Sequence, residues 1–294
     1  MRVAPGRLSE DSDLVPVEPA ARPLTRRRSV GLTVAGAWLA VVAVIVVFAP
    51  WLWFVDDPDA FSTDVNLGAS GTHWFGTDEL GRDMFARVVW GGRVSLQIAG
   101  VSVAVGMVFG TLLGLAGGFF RGWIDTVVSA LINAMLALPT LVLALFIITV
   151  LEQSQRNVTI AVIVLAVPAI ARVVRAQTLR WVDREFVLAA RTMGASTPRI
   201  LFREIFPNVV PALVSFTFLA LSVVLVAEGS LSFLGKSVPA PEITWGGILA
   251  QGRSRLEESP HIAIWVSVVL FATLLALNYV GDTLLKRFDV RNVE

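Results

Sequence analysis

Six long apolar blocks constrain this chain more than any other feature: residues 31–55, 94–120, 127–151, 159–174, 209–229 and 262–285. An apolar run of roughly 18 or more residues is long enough to cross a bilayer as a helix. The bilayer core offers no water to bond backbone N–H and C=O groups, so each such block must satisfy its own, and a helix does. The expected fold class is therefore an all-α membrane protein with six transmembrane helices. The fourth block is the shortest and carries Pro168, whose missing N–H neighbouring helices or water can compensate. Composition agrees: 55% of residues are hydrophobic and 16% charged, against about 25% charged in soluble domains.

The placement of Lys and Arg sets the orientation. With the N-terminus inside, the outer segments hold Arg82, Arg87, Arg93, Arg156, Lys236, Arg253 and Arg255, and the inner segments hold the other 17 of the 24 basic residues, Arg172 and Arg175 among them. Both termini are then cytoplasmic. Asp56, Asp57, Asp59 and Asp64 suit a solvated outer loop. Residues 1–30 are rich in Pro, Arg, Glu and Asp and cannot bury enough surface to fold alone, so they read as a disordered cytoplasmic tail. Arg26, Arg27 and Arg28 before an apolar block suggest an export signal, but the block exceeds a signal core and no small-x-small cleavage site follows. The first span is read as uncleaved. The remaining layout is a first span with an outer segment over 31–92, a membrane core over 93–285 containing an inner loop at 176–207, and a cytoplasmic tail over 286–294.

Several function classes fall away. A net charge of +1 is no basis for binding nucleic acid. Without cysteine there is no disulfide, iron–sulfur cluster or thiol chemistry. His73 and His261 are far apart and bring no ligand set with them, which argues against a membrane-embedded enzyme. A secondary transporter expects ionisable residues at the membrane midplane, and the central spans read as nearly free of them.

Within the spans, Gly106, Gly110 and Gly114 recur every four residues, a spacing that lets helix backbones approach closely. The partner could be another helix of this chain or of a second subunit. The longest inner connection, residues 171–207, has helical spacing of Trp181, Phe186, Val187, Ala190 and Met193. Gly194 ends that helix, Ser196 or Thr197 can cap the next, and Pro198 suits its first turn.

Residues 73–97 read HWFGTDELGRDMFARVVWGGRVSLQ and suggest a re-entrant or surface helix. Thr77 or Asp78 would cap it, Arg82 and Asp83 would face solvent, and Gly91 and Gly92 would end it. Trp74, Phe75 and Trp90 suit the membrane interface. Asp78, Glu79 and Asp83 look like paired carboxylates, but with no substrate pocket in view they read as capping and ion-pairing groups. Glu228 stands at the outer end of the fifth span, where a carboxylate is costly. It either bonds hydroxyls such as Ser230 or Ser232 or has a function. Gly235-Lys236-Ser237 mimics the end of a phosphate-binding loop, but Ser230 stands where that motif needs glycine, so nucleotide binding is rejected.

Three stretches resemble the permease subunits of ABC importers of the dipeptide/oligopeptide/nickel family, and the resemblance runs over about residues 37–291. LAARTMGASTPRILFREIFP is similar to that family's "EAA" loop, with Ala189, Ala190, Gly194, Ile205 and Pro207 in register and Leu188 where the family has Glu. Residues 73–97 resemble HxFGTDxLGRDxxSRxxxGxRxSL, and EGSLSFLG with the later Trp245-Gly246 resembles ESSLSFLGLG…PxxxWG. NYVGDTLLKRFDVR at the end is similar to NLLGDxLRDxLDPR. The chain departs in the third span, where Asn133 replaces the usual Asp and Ala130 a common Arg.

The resemblance implies a type I ABC importer transmembrane domain in the bacterial inner membrane. It implies a second homologous permease, one or two ATPase subunits and an extracellular substrate-binding protein as partners. It implies no cofactor or catalysis in this chain, ATP and Mg being bound by the ATPases. The coupling loop would comprise Glu185, Ala189, Ala190, Arg191, Gly194, Ala195 and Pro207, with Glu185 supplying the charge absent at Leu188. Ser102, Asn133, Thr140, Ser215 and Ser222 are pathway candidates, and Trp74, Asp78, Arg82, Asp83 and Glu228 are outer-face candidates. Peptides are the expected cargo, with nickel chelates, glutathione or haem as alternatives.

Overall fold

The computed structural model describes residues 30–290, so the N-terminal tail and the basic run Arg26–Arg28 lie outside the described residues. Among the described residues the chain is helices and loops, with one isolated bridge between Thr77 and Asp83. Ten α-helices follow in order: α1 Val30–Phe48, α2 Met84–Phe120, α3 Gly122–Ala137, α4 Thr140–Leu151, α5 Gln155–Trp181, α6 Glu185–Thr192, α7 Thr197–Arg199, α8 Phe206–Phe233, α9 Trp245–Arg253 and α10 Pro260–Val290. Five helical stretches are long and apolar enough to cross a bilayer, and α3 with α4, bent by 89° at their junction, pass the same test only as a pair, as a broken span or a re-entrant loop.

The helices outrun the apolar blocks at most ends. α2 starts ten residues before residue 94, so Gly91 and Gly92 do not end a surface helix; they lie inside one. A domain boundary at 92/93 would therefore cut a continuous helix. α5 extends to Trp181 with Pro168 in its interior, which places Arg172 and Arg175 within a spanning helix and not in an inner loop. The fifth span runs unbroken from Thr197 to Phe233 through a π-helical turn, Ile200–Ile205. α10 continues past residue 285 to Val290. The first block stops short instead: α1 passes into a single 3₁₀ turn at Ala49–Trp51. Polar side chains at helix ends project beyond the hydrocarbon core, so they end an apolar run without ending the helix.

The core is the pairing of α2 with α5. Ideal Cβ atoms on Gly110, Gly114 and Gly118 would fall 2.8 Å from Ile170, 2.6 Å from Val174 and 2.6 Å from Thr178. Gly106 faces Ile170 and Ala166. The glycine repeat therefore seats α5 of the same chain, and it extends one step further than the three glycines evident in the sequence. Close backbone approach in the membrane gains van der Waals contact that lipid tails cannot match. Ile98, Val103, Val162, Ile170 and Val174 are fully buried in this seam, and α8 and α4 close over it through Val209, Leu225, Ala144 and Ile148. α1 packs on α10 through Ala35, Ala276 and Val280.

Candidate functional site

The expected functional residues fall at three levels: the inner surface, the interior of the bundle and the outer surface. At the inner surface, α6 ends in a Schellman cap. Gly194 adopts φ +77°, its N–H donates to Arg191 O at 3.0 Å, and Ala195 N–H donates to Ala190 O at 3.0 Å. Ser196 occupies the N-cap of α7 but its side chain makes no capping bond, and Pro198 sits in the first turn as expected. Pro207 stands in the first turn of α8.

α6 has two faces. Val187 and Ala190 are buried against Ile200 and Ile205, so Ala190 serves packing inside the chain. Glu185, Leu188, Ala189, Thr192 and Met193 are exposed, Met193 to 80%. The helix is tied to the bundle at several points. The Arg191 guanidinium lies 5.2 Å from the Phe119 ring at the end of α2. Asp183, just before α6, pairs with Arg121 at the α2–α3 turn. Deeper, Asp125 of α3 accepts from Arg175 Nη2 of α5 at 2.8 Å. The α6 region is therefore tied to the end of α2 and to the α2–α3 turn, and α3 is tied in turn to α5. Sequence patterning did not reveal these ties, because their members lie from 50 to 72 residues apart.

Inside the bundle, the five pathway candidates are not brought together. Ser102, Ser215 and Ser222 are buried and donate to the backbone carbonyls of Thr159, Pro211 and Phe218 at 3.3, 3.1 and 3.2 Å. These are helix-packing hydroxyls. Asn133 and Thr140 are exposed on α3 and α4, either side of the bend, and Asn133 Oδ1 accepts from Arg172 at 3.0 Å.

At the outer surface, residues 52–83 fold into a compact loop on the end of α2. Asp83, not Thr77 or Asp78, caps α2, accepting from Ala86 N–H at 2.8 Å. It also bonds His73 Nδ1 at 2.8 Å, so neither Arg82 nor Asp83 stands free in solvent. Asp78 is buried and accepts from the Leu80 and Arg82 amides at 2.9 Å each and from Arg82 Nε at 2.7 Å. Arg87, read in the sequence only as one of the outer basic residues, is buried beside Asp78 and Asp59 and donates to Pro58 O and Gln251. His261 bonds Thr77 O at 2.9 Å. Trp74 is exposed and packs edge-on against Phe85, while Phe75 stacks on Trp265 at 4.6 Å. A cavity of about 390 Å³ opens here, lined by Asp59, Arg82, Arg87, Glu242, Thr244 and Gln251. The carboxylates at this surface act as caps and ion pairs.

Glu228 is fully buried and accepts three hydroxyl bonds: from Ser232 at 2.8 Å, Ser237 at 2.9 Å and Ser95 at 3.3 Å. Ser230 is not among the donors; it bonds Val226 O. Ser95 also accepts from Trp245 N–H at 3.0 Å, which joins α2, α8 and α9 through one carboxylate. Ser237, the last residue of the false phosphate-loop mimic, is committed to this network. The hydroxyl reading of Glu228 stands with Ser232, and Ser95 and Ser237 were missed because no local pattern links them to it.

Comparison with known proteins agrees with this architecture. Residues 106–293 match the family described as binding-protein-dependent transport system inner membrane component. The chain is 37% identical over 256 residues, 87% of its length and 85% of the relative's, to the glutathione transport system permease protein GsiD of Pectobacterium atrosepticum. It is 37% identical over 265 residues, 90% of its length and 87% of the relative's, to GsiD of Escherichia coli O6:K15:H31. Among solved structures, a chain of the inward-facing MetNI methionine ABC transporter shares the fold, with TM-score 0.60 and 21% identity over 70% of this chain and 97% of that one. The chain therefore belongs to the binding-protein-dependent transport system inner membrane components, as a non-catalytic, multi-pass permease subunit of an ABC importer of the bacterial inner membrane.

Proposed function

We propose that the chain forms half of the translocation pathway of an importer for small peptides, glutathione included. The observation that carries this is its 37% identity, over nearly nine tenths of its length, to permeases that bear glutathione transport in their names; glutathione is a tripeptide. Family membership implies a permease pair, ATPase subunits and a binding protein. ATP and Mg bind to the ATPases, and the exposed face of α6, with Glu185, Ala189 and Met193, enters a groove on one of them. Closure of the ATPase pair moves α6 about the Gly194 turn. The ties from Arg191 and Arg121 to the inner ends of α2 and α3 pass that motion to the span bundle, and the two permeases rock to open the pathway inward. The binding protein docks on the outer loop that Asp78, Arg82 and Asp83 hold in shape. Rigid outer and inner ends joined by the α2–α5 seam suit a half-transporter that moves as one body.

The test is purification of the tagged chain from native membranes in mild detergent with mass spectrometry of what accompanies it, followed by reconstitution with glutathione as the probe. A second permease, one or two ATPases and a binding protein are expected, with ATP-dependent glutathione uptake. The chain eluting alone, or only with itself, would refute the assembly. A complete assembly importing neither glutathione nor a dipeptide would refute the cargo.

A further inference from the structure

Arg172 lies nine residues before Trp181, the inner end of α5, which puts its Cα about 14 Å along the helix at 1.5 Å per residue. The 27-residue helix is about 40 Å long, some 10 Å more than the hydrocarbon core, so Arg172 is seated inside that core. An arginine at this depth ordinarily bends back to the nearer interface. Here the side chain is instead held on α3. Arg175, one turn later, reaches Asp125 in the first turn of α3, whereas Arg172 reaches Asn133, eight residues further along α3. That is about 12 Å along the axis of α3.

Among the described residues, Arg172 has no carboxylate at ion-pair distance, and Asn133 Oδ1 occupies one of its five N–H donors. Both side chains are exposed. A cation facing acyl chains costs about 2.5–3.5 kcal/mol or more at the centre of a span and less towards its ends, so intramembrane cations face wet cavities or protein. A second observation points to water. The α3–α4 break at Leu138 and Pro139 lies just beyond Asn133, and both residues are exposed. Non-helical backbone at membrane depth persists where it is packed in protein or lines a water-filled cavity.

We propose that Arg172 and Asn133 form a carboxylate-recognising station in the translocation pathway. The guanidinium fork pairs with a carboxylate of the passing solute, a geometry arginine suits. Asn133 orients the fork without neutralising it, as an acid at that position would. The inference deepens the reading of the chain as half of a pathway for peptide-like acids.

The test uses the assembled importer and exploits the absence of cysteine from this chain. Asn133→Cys is probed with a sulfonate-bearing and a trimethylammonium-bearing thiosulfonate reagent, with and without ATP. The thiol is expected to react, favouring the anionic reagent by about tenfold, and Arg172→Gln in the same background is expected to abolish that preference while Arg172→Lys keeps it. No reaction with either reagent in any state would mean that the pair is sealed by lipid or by the second permease, and would overturn the proposal. So would a preference that Arg172→Gln leaves unchanged. Should Arg172→Gln fail to assemble, Asn133→Asp carries the test, because it supplies the missing counter-charge. Uptake of a free-acid tripeptide is expected to fall several-fold while its C-terminal amide is spared, and equal effects on both would sink the idea. If the unmodified importer takes up neither peptide, the cargo assignment fails; the reagent preference still decides the station.

Discussion

Adding one methyl group at Gly114 tests what holds α2 against α5. A Cβ there would lie 2.6 Å from Val174 Cβ and 2.7 Å from Ala171 O, and the second of these is backbone that cannot rotate away. The helices must separate, and the contacts at Gly110 and Gly118 loosen with them. Overpacking of this kind costs about 1–3 kcal/mol, and alanine returns up to about 1 kcal/mol of helix propensity, leaving a net loss of up to about 2 kcal/mol. The same helix holds its own controls. Gly100→Ala meets nothing within 4 Å and is expected to be neutral or to gain up to about 1 kcal/mol. Gly106→Ala meets the Ile170 Cδ1 at 2.9 Å, the mobile end of a side chain, and is expected between the two. The assay is the midpoint of heat-induced loss of the monodisperse complex on size exclusion in detergent. The expected order of stability is Gly100→Ala, then Gly106→Ala, then Gly114→Ala. A Gly114→Ala complex that survives heating as well as Gly100→Ala would refute the claim that close backbone contact builds this seam.

Two further outcomes follow from the inner and outer ends. Glu228→Ala strips the shared acceptor from Ser95, Ser232 and Ser237, bonds worth about 1.5–3 kcal/mol each when the acceptor is charged; faster amide exchange in the 234–244 loop, beyond that of Glu228→Gln, is expected, and equal exchange in both variants would count against the network. Gly194→Ala meets no atom within 4 Å but must hold φ +77°, at a cost of about 1–2 kcal/mol; binding-protein-stimulated ATP hydrolysis and uptake are expected to fall together in an intact complex and to recover in Gly194→Asn, since asparagine tolerates this conformation, and full activity in Gly194→Ala would show that the turn is not held under that constraint.

Much of the molecule was legible in the chain because it depends on local properties. Transfer of an apolar run from water to lipid is decided segment by segment, so the apolar blocks that became five spans and the bent α3–α4 pair could be read from hydropathy. The Gly194 turn was equally local, since a left-handed residue after a short helix needs glycine. Helix ends were misjudged wherever hydropathy stood in for hydrogen bonding: α2 begins at an Asp83 cap that lies outside the apolar run, and α5 carries Arg172 and Arg175 within it. Which face meets which lay beyond the sequence. The glycine repeat announced a close contact, but its partner on α5 is set by packing between segments 57 to 64 residues away. Glu228 advertised a cost, and the hydroxyls that meet it come from α2 and from the loop after α8. The sequence by itself determined that the chain enters the membrane and where it crosses. Tertiary structure decided which buried polar groups find each other, because a hydrogen bond requires two atoms within about 3 Å and nothing in a linear pattern brings residues 95 and 228, or 133 and 172, to that distance.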